Sequence, residues 1–194
     1  MNTEPELKNR QNRNFKYKQR EVKTIYCDAQ ITKNIIVPIN AVGKNLQKTI
    51  EETISALIEG KCIVEGYVKR GSVQIITYSS GIIKGSNVVF DVVIKCSVCY
   101  PVAGMLVNCI AKNITKAGIR AESSEERPSP FILFISRDHY YDSDVFNSIE
   151  ENEKFVARVI AQRFELNDAY VSIIAEIVPN KQNAQPSKPR LEFI

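Results

Sequence analysis

The sequence contains no tryptophan, two methionines and one histidine among its 194 residues. His139 is therefore the lone imidazole available to catalysis of the Ser-His-Asp or Cys-His type. No Gly-rich phosphate loop or nucleophile-elbow motif is present either. Carboxylates and lysines could still serve as acids and bases, but nothing in their spacing indicates an active site. We therefore expect a non-catalytic protein.

Long apolar runs are also missing. The most apolar stretches, 31–39 and 87–94, are interrupted by Lys, Asn or Asp, whereas a membrane-spanning helix needs about 18 or more uninterrupted apolar residues. The N-terminus is polar through Lys23 and lacks the apolar core of a signal peptide. The five cysteines are an odd number without a secretory signal, which indicates reduced thiols. We expect an intracellular protein.

Two clusters suggest chemistry but are better explained otherwise. Cys96 and Cys99 form a CxxC, yet no second pair exists to complete a zinc site, and on a strand they would point to opposite faces. Asp138, Asp142 and Asp144 lie beside the histidine in a pattern that also occurs in solvated turns. We expect no metal and no cofactor.

Charge is the next informative property. A net charge of +4 and a pI near 8.7 permit a polyanionic partner without requiring one. Residues 1–22 carry lysines and arginines among Asn and Gln, which predicts a disordered basic arm. That arm is either a solvated tail or a segment that binds nucleic acid or a partner. Residues 179–194 are predicted to form a C-terminal tail whose end, Leu191–Ile194, could dock on a surface.

The first half of the chain predicts strands around one helix. Residues 22–38 are rich in β-branched side chains and predict one long or two short strands. Apolar residues then recur every three or four positions from Val42 to Ile58, with Asn40 as a candidate N-terminal cap and Gly60 as the C-terminal one. Three strands follow, with turns at Gly71 and at 81–85; they are predicted at 62–69, 73–79 and 88–99.

The second half predicts a small barrel. Five short strands surround an irregular, partly helical stretch at 137–150, an order that suits an OB fold. These strands are predicted at 105–114, 118–121, 131–135, 155–164 and 170–177. The fold class is therefore α+β: a β-α-β-β-β domain over 23–100, then a five-stranded OB barrel over 101–178.

The order and spacing of these segments resemble the stalk subunit of multisubunit RNA polymerases, the seventh subunit of RNA polymerase II and the E-prime subunit of archaea. The resemblance runs over about 150 residues, from Ile25 to Ile177. It rests on the helix end and the strand Glu65-Gly66-Tyr67-Val68, on the junction Cys99-Tyr100-Pro101-Val102-Ala103-Gly104, and on Gly118-Ile119 of the second barrel strand. Tyr100 directly precedes Pro101 here, whereas the family has one residue between aromatic and proline.

The resemblance implies how such a protein would assemble. The N-terminal domain would act as a tip that docks at the base of the polymerase clamp, against the largest subunit and a small neighbour, through the segment containing Lys61, Gly66 and Tyr67. Tyr67 could equally be an ordinary core residue of a strand. A helical partner subunit would contact the hinge between the domains, formed by Tyr100, Pro101, Val102 and Gly104.

The barrel of such a subunit would contact nascent single-stranded RNA through basic side chains. The candidates are Lys112, Lys116, Arg120, Arg137, Lys154 and Arg158. An ordinary charged barrel surface would explain them as well. This chain lacks the aromatic residue that good RNA-binding members carry after the glycine of the second strand. The possible substitutes are Phe131, Phe134, Tyr140, Tyr141 and Phe164, although barrel packing could claim the three phenylalanines. We therefore expect weak RNA binding that tolerates different sequences.

The Ile-, Asn- and Lys-rich composition, with the added arm, resembles a version from a large DNA virus. This resemblance implies a location in the nucleus, in a cytoplasmic viral factory or in the virion. Two other functions stay open: a free-standing OB-fold RNA-binding regulator of translation or RNA decay, and a virion structural protein. The first predicts a soluble monomer that binds single strands unaided, and the second predicts binding to neither RNA nor polymerase.

Overall fold

Strand-forming residues dominate the chain and assemble into two sheets in the computed structural model, which describes residues 24–140 and 144–178. The basic arm expected at 1–22 and the tail expected at 179–194 lie outside the described residues, as do Tyr141 and Asp142. The first sheet and the barrel meet where the chain passes from Cys99 to Leu106.

The first sheet is built on two 13-residue strands. Strands β1 (Tyr26–Pro38) and β6 (Asn87–Cys99) are antiparallel along their whole length, with Tyr26 opposite Cys99 and Pro38 opposite Asn87. On the other side of β6 lie four shorter strands: β2 (Cys62–Ile63), β3 (Gly66–Val68), β4 (Gln74–Tyr78) and β5 (Ile82–Lys84). The four-stranded β-α-β-β-β arrangement is thus not confirmed, because this sheet has six strands.

Helix α1 (Leu46–Ile58) covers one face of this sheet with Ile50, Ile54 and Ile58, all of which are buried. The helix begins later than predicted. Residues Ile39–Ala41 form a short 3₁₀ helix after Pro38, so Asn40 does not cap α1. The predicted end is confirmed, since Gly60 follows the last turn with a φ of 71°.

The second sheet is a closed barrel of five strands in the order β10-β11-β9-β8-β7, which confirms the expected barrel. The strands are β7 (Leu106–Ile114), β8 (Gly118–Ser123), β9 (Phe131–Ser136), β10 (Lys154–Arg163) and β11 (Val171–Ile177). A 3₁₀ helix (Arg137–Tyr140) and the short helix α2 (Asp144–Asn147) lie between β9 and β10. This order is compatible with an OB fold.

The barrel core continues into the first sheet. Cys62, Tyr67 and Cys99 pack in one cluster with inward barrel residues such as Leu133 and Ile173. The remaining core, between α1 and the sheet, is a separate cluster. The two sheets therefore share buried apolar surface at the end of the first sheet that is nearest the barrel.

Hydrogen bonds strengthen this contact. The Cys62 N–H donates to the Asp168 carbonyl, and the Asn167 N–H donates to the Cys62 carbonyl, both at 2.8 Å. Lys69 forms an ion pair with Glu126 at 3.1 Å, and its ammonium lies 4.8 Å from the centre of the Tyr26 ring. Burial, followed by the hydrogen bond to Glu126, raises the pKa of Tyr26.

The predicted hinge is also held in place. Pro101 is buried, and the Gly104 N–H donates to the Val159 carbonyl at 2.7 Å, while the Met105 N–H donates to the Val102 carbonyl at 3.1 Å. These contacts tie the connection to strand β10, so it is a packed junction rather than a free linker.

Candidate nucleic-acid interface

A groove of about 530 Å³ crosses the outside of the barrel. The strand register explains how it forms. Arg120 of β8 lies opposite Phe134 of β9, Phe134 is paired with Ile174 of β11, and Ile174 with Ala161 of β10. Residues paired across strands share a face, and all four of these are exposed. They make one outward row across four strands.

A second row runs beside the first. Ile132 of β9 pairs with Ser172 of β11, and Ser172 pairs with Arg163 of β10. Tyr170, just before β11, adds an aromatic ring to the groove and is 41% exposed. The two rows and this ring form an apolar floor with an arginine at each side.

Among the three candidate phenylalanines, Phe134 is the one whose ring is exposed on the outside of the barrel. It is 40% exposed, whereas Phe131 is fully buried in the barrel and Phe164 is partly buried against Tyr100, with ring centres 6.0 Å apart. Gly118 helps to set the ring of Phe134: a Cβ there would lie 2.8 Å from Phe134 Cζ and would collide with the Ile135 carbonyl. The ring therefore lies above a glycine of the neighbouring strand.

The six predicted basic residues are not brought together at one place. Only Arg120 lines the groove. Lys116 is exposed in the β7–β8 turn, with the half-buried Lys112 near the end of β7. Lys154 and Arg158 share the outer face of β10, where Arg158 forms a 2.8 Å ion pair with Glu176.

Arg137 is half-buried beside the short helix α2. Its guanidinium lies 4.7 Å from the centre of the Phe146 ring, in a cation–π contact. Two groove residues, Arg163 and Tyr170, were not among the sequence candidates. Five positions separate Arg163 from Arg158, so a strict period of two would place it on the inner face; the β-bulge between Val159 and Ala161 turns it outward.

The predicted docking residues lie at the barrel end of the first sheet. Tyr67 is 2% exposed, so its ring presents no surface to a partner; the alternative of a core strand residue fits its burial. Gly66 is buried with a φ of 124°, and a Cβ there would lie 2.6 Å from the Cys99 carbonyl oxygen. Lys61 donates to the carbonyls of Ala56 and Leu57 at 3.4 Å and so caps the end of α1.

At the opposite end of the first sheet, an apolar row is exposed to solvent. Ile36 of β1 pairs with Val89 of β6, and Val89 pairs with Ile82 of β5. Ile36 is 61% exposed and Ile82 is 59% exposed. Val89 and Cys99 are ten residues apart on β6, so this end lies about 33 Å from the barrel.

All five cysteines carry free thiols. Cys96 and Cys99 lie in different cores, as the strand period predicts. Burial raises the pKa of Cys62 and Cys96 to about 11, and that of Cys99 and Cys109 to about 12. Over residues 24–140 and 144–178, no three His, Cys, Asp or Glu side chains group closely enough to hold a metal ion. Neither α-helix of that part of the chain could span a membrane.

The chain is similar to a protein of Acanthamoeba polyphaga mimivirus that is named "Putative DNA-directed RNA polymerase subunit". The two are 26% identical over 165 residues, which cover 76% of this chain and 79% of the mimivirus protein. No protein-family model matches the chain.

Proposed function

We propose that this chain is a non-catalytic stalk subunit of the DNA-directed RNA polymerase of a large DNA virus. The observation that carries the proposal is the similarity to the mimivirus protein over 76% of the chain. Neither half of the chain amounts to that share, so the aligned region includes parts of both the first sheet and the barrel. A likeness confined to the barrel would support only an OB-type module.

The far end of the first sheet is the docking surface in this proposal. Isolated exposed apolar side chains are common, but Ile36, Val89 and Ile82 are adjacent across three strands, with Ile39 half exposed nearby. An apolar row at the end farthest from the barrel suits contact with a polymerase core. Lys61, Gly66 and Tyr67 then support docking by fixing the fold of the first sheet.

The helical partner subunit belongs at the junction of the two sheets. Tyr100 is 43% exposed and Val102 is 52% exposed there, while Pro101 is buried beneath them. Leu166, in the loop that hydrogen-bonds to Cys62, adds a third exposed apolar side chain. A partner seated on these residues would touch both sheets at once.

Purification of the tagged full-length protein from its native lysate, with identification of partners by mass spectrometry, tests the proposal. We expect recovery of the large polymerase subunits. Ile82→Asp should lower that recovery about fivefold or more, because a charge in the docking row must be desolvated on contact. Ile76→Asp is the matched control, since Ile76 is 52% exposed on the same sheet but outside the row.

The outcomes separate the polymerase subunit from the free-standing RNA-binding regulator. Equal recovery with both variants would keep the polymerase assignment and move docking to another surface. Recovery of ribosomes or RNA-decay factors in place of polymerase subunits would overturn the assignment. The groove on the barrel would then favour a free-standing RNA-binding regulator.

A further inference from the structure

The groove on the barrel has an apolar floor that its own strands leave open. Ile174 is 49% exposed, Tyr170 is 41% exposed and Phe134 is 40% exposed, and all three line the groove. The two charged side chains in it, Arg120 and Arg163, are both positive. Adjacent exposed apolar side chains, unlike isolated ones, mark a binding surface. The matching occupant is an apolar segment that carries a negative charge.

The sequence after β11 contains such a segment. Residues 180–185 include no apolar side chain larger than alanine, whereas residues 186–194 include two prolines and three large apolar side chains. Charged and apolar residues alternate from 188 to 193, so an extended chain would carry Pro189, Leu191 and Phe193 on one face. Glu192 is the single acidic residue of 179–194.

We infer that residues 189–193 occupy the groove of their own barrel. Their apolar face packs on Ile174 and Phe134, and Glu192 pairs with Arg120 at the β8 side of the groove. The two basic side chains of the segment, Lys188 and Arg190, then point to solvent and away from the groove arginines. The inference goes beyond the proposed function, because it concerns the chain alone and holds whatever the chain assembles with.

The dimensions of the groove and of the segment agree. The outward row from Ala161 to Arg120 crosses four strands, so it is about 14 Å wide at roughly 4.8 Å per strand spacing. An extended chain from Pro189 to Phe193 spans about 13 Å. One pass of the segment therefore covers the floor from β10 to β8.

The chain before the segment also has a suitable length. Strand β11 is held in the barrel as far as Val178, whose N–H donates to the Val156 carbonyl at 3.0 Å. Val178 lies four residues past Ile174, or about 13 Å along the strand. A random chain of eight residues, the separation of Val178 from Pro186, has a root-mean-square span of about 14–17 Å. Because span and distance match, the effective concentration of the segment at the groove is on the order of millimolar.

The charges select Arg120 as the partner of Glu192. Arg163 already forms a 3.1 Å ion pair with Glu165, whereas Arg120 forms no ion pair among the described residues. Pro186 and Pro189 restrict the backbone of the free segment, which lowers the entropy lost on docking.

The absence of tryptophan from the sequence gives a direct test, because one introduced indole reports on one position of the full-length chain. We expect the indole of Phe193→Trp to be protected from quenching by acrylamide, unlike the indole of Gln182→Trp in the preceding stretch. Adding Ile174→Asp or Phe134→Ala to the Phe193→Trp chain should remove the protection, because each takes apolar contact from the floor. Tyr78→Ala is the matched control and should leave the protection unchanged, because Tyr78 is 38% exposed but lies on the first sheet.

The ion pair has a test of its own. In the Phe193→Trp chain, Arg120→Glu should increase quenching, and adding Glu192→Arg should restore the protection. Lys84→Glu, at an exposed position of the first sheet, should have no effect. Thermal melts of every variant show whether the fold is intact.

A peptide added in solution provides a second readout. The probe is a fluorescein-labelled peptide of residues 186–194, amidated at its C-terminus, and its binding is measured by anisotropy. The Phe193→Asp chain should bind it about tenfold or more tightly than the unaltered chain, whose tethered segment competes at an effective concentration on the order of millimolar.

Four results would overturn the inference. The first is equal quenching of the Phe193→Trp and Gln182→Trp chains, and the second is protection that survives both groove substitutions. The third is protection that disappears on dilution, which would place the segment in the groove of a second copy. The fourth is equal binding of an oligouridine by the unaltered and Phe193→Asp chains, abolished in both by Phe134→Ala, which would show a groove open to nucleic acid. Recovery of polymerase subunits tests the proposed function separately.

Discussion

Gly66 offers the sharpest test of how the first sheet is joined to the barrel. Its φ of 124° lies outside the small left-handed region near +50° to +70° that L-residues can enter. A Cβ at this position would meet the Cys99 carbonyl oxygen at 2.6 Å and Val98 Cγ1 at 2.9 Å. The first of these contacts is backbone in the middle of a sheet, which cannot move aside easily.

The Gly66→Ala substitution should therefore lower the free energy of unfolding through two effects. Backbone strain accounts for about 1–3 kcal/mol, and forced displacement of packed atoms adds about 1–3 kcal/mol. The two effects together amount to about 2–6 kcal/mol, and at roughly 2–4 °C per kcal/mol for a chain of this size the melting temperature should fall by about 4–24 °C.

Two other glycines separate the effects. Gly71 has a φ of 71°, but a Cβ added there would have no neighbouring atom within 4 Å, so Gly71→Ala should cost only about 1–2 kcal/mol. Gly43 has neither feature, and Gly43→Ala should be neutral or slightly stabilising. Calorimetry or circular dichroism melts of the three variants measure the order. If Gly66→Ala melted no lower than Gly71→Ala, the close approach to Cys99 would be refuted.

Two further predictions concern buried groups. At about pH 8 a disulfide reagent should react quickly with Cys27, because its thiol is exposed. It should react slowly with the four buried thiols, because their raised pKa values of about 11 to 12 keep them protonated. All five thiols should react in denaturant, and Cys27→Ser should remove the fast phase. Glu126→Gln should lower the free energy of unfolding by about 1 kcal/mol, because it loses partly buried contacts with Lys69 and Tyr26. Glu165→Gln is the control: its ion pair is exposed, so the free energy of unfolding should change by less than about 0.5 kcal/mol. Urea titrations measure both changes.

The barrel could be predicted from the sequence because its strands carry their own signals. Each is a short apolar alternation bounded by turn residues, and the observed strands begin and end within about two residues of the predicted ones. The first sheet was harder. Ile82–Lys84 lies between Gly81 and Gly85 and was interpreted as a turn, since three residues become a strand only through pairing with β6.

The candidate site shows the same division. The sequence indicated that basic and aromatic side chains occur on the barrel, but the period of two cannot show which strands are neighbours. Phe134 and Arg120 are adjacent because β8 pairs with β9 in one register, and Tyr170 joins them because β11 lies next to β9. The family resemblance placed Tyr67 in the docking tip, but its exposure depends on the barrel, which covers it and which no local pattern describes.

The pairing of Cys62 with Asn167 and Asp168 has a mechanical consequence. With a shared core beneath it and a packed junction beside it, the barrel is joined to the first sheet without a flexible joint. The protein should then behave as a stiff lever, in which strand β6 extends away from the barrel. A force applied to the barrel would reach the far end of β6 as a turning force, instead of being absorbed in a loose connection.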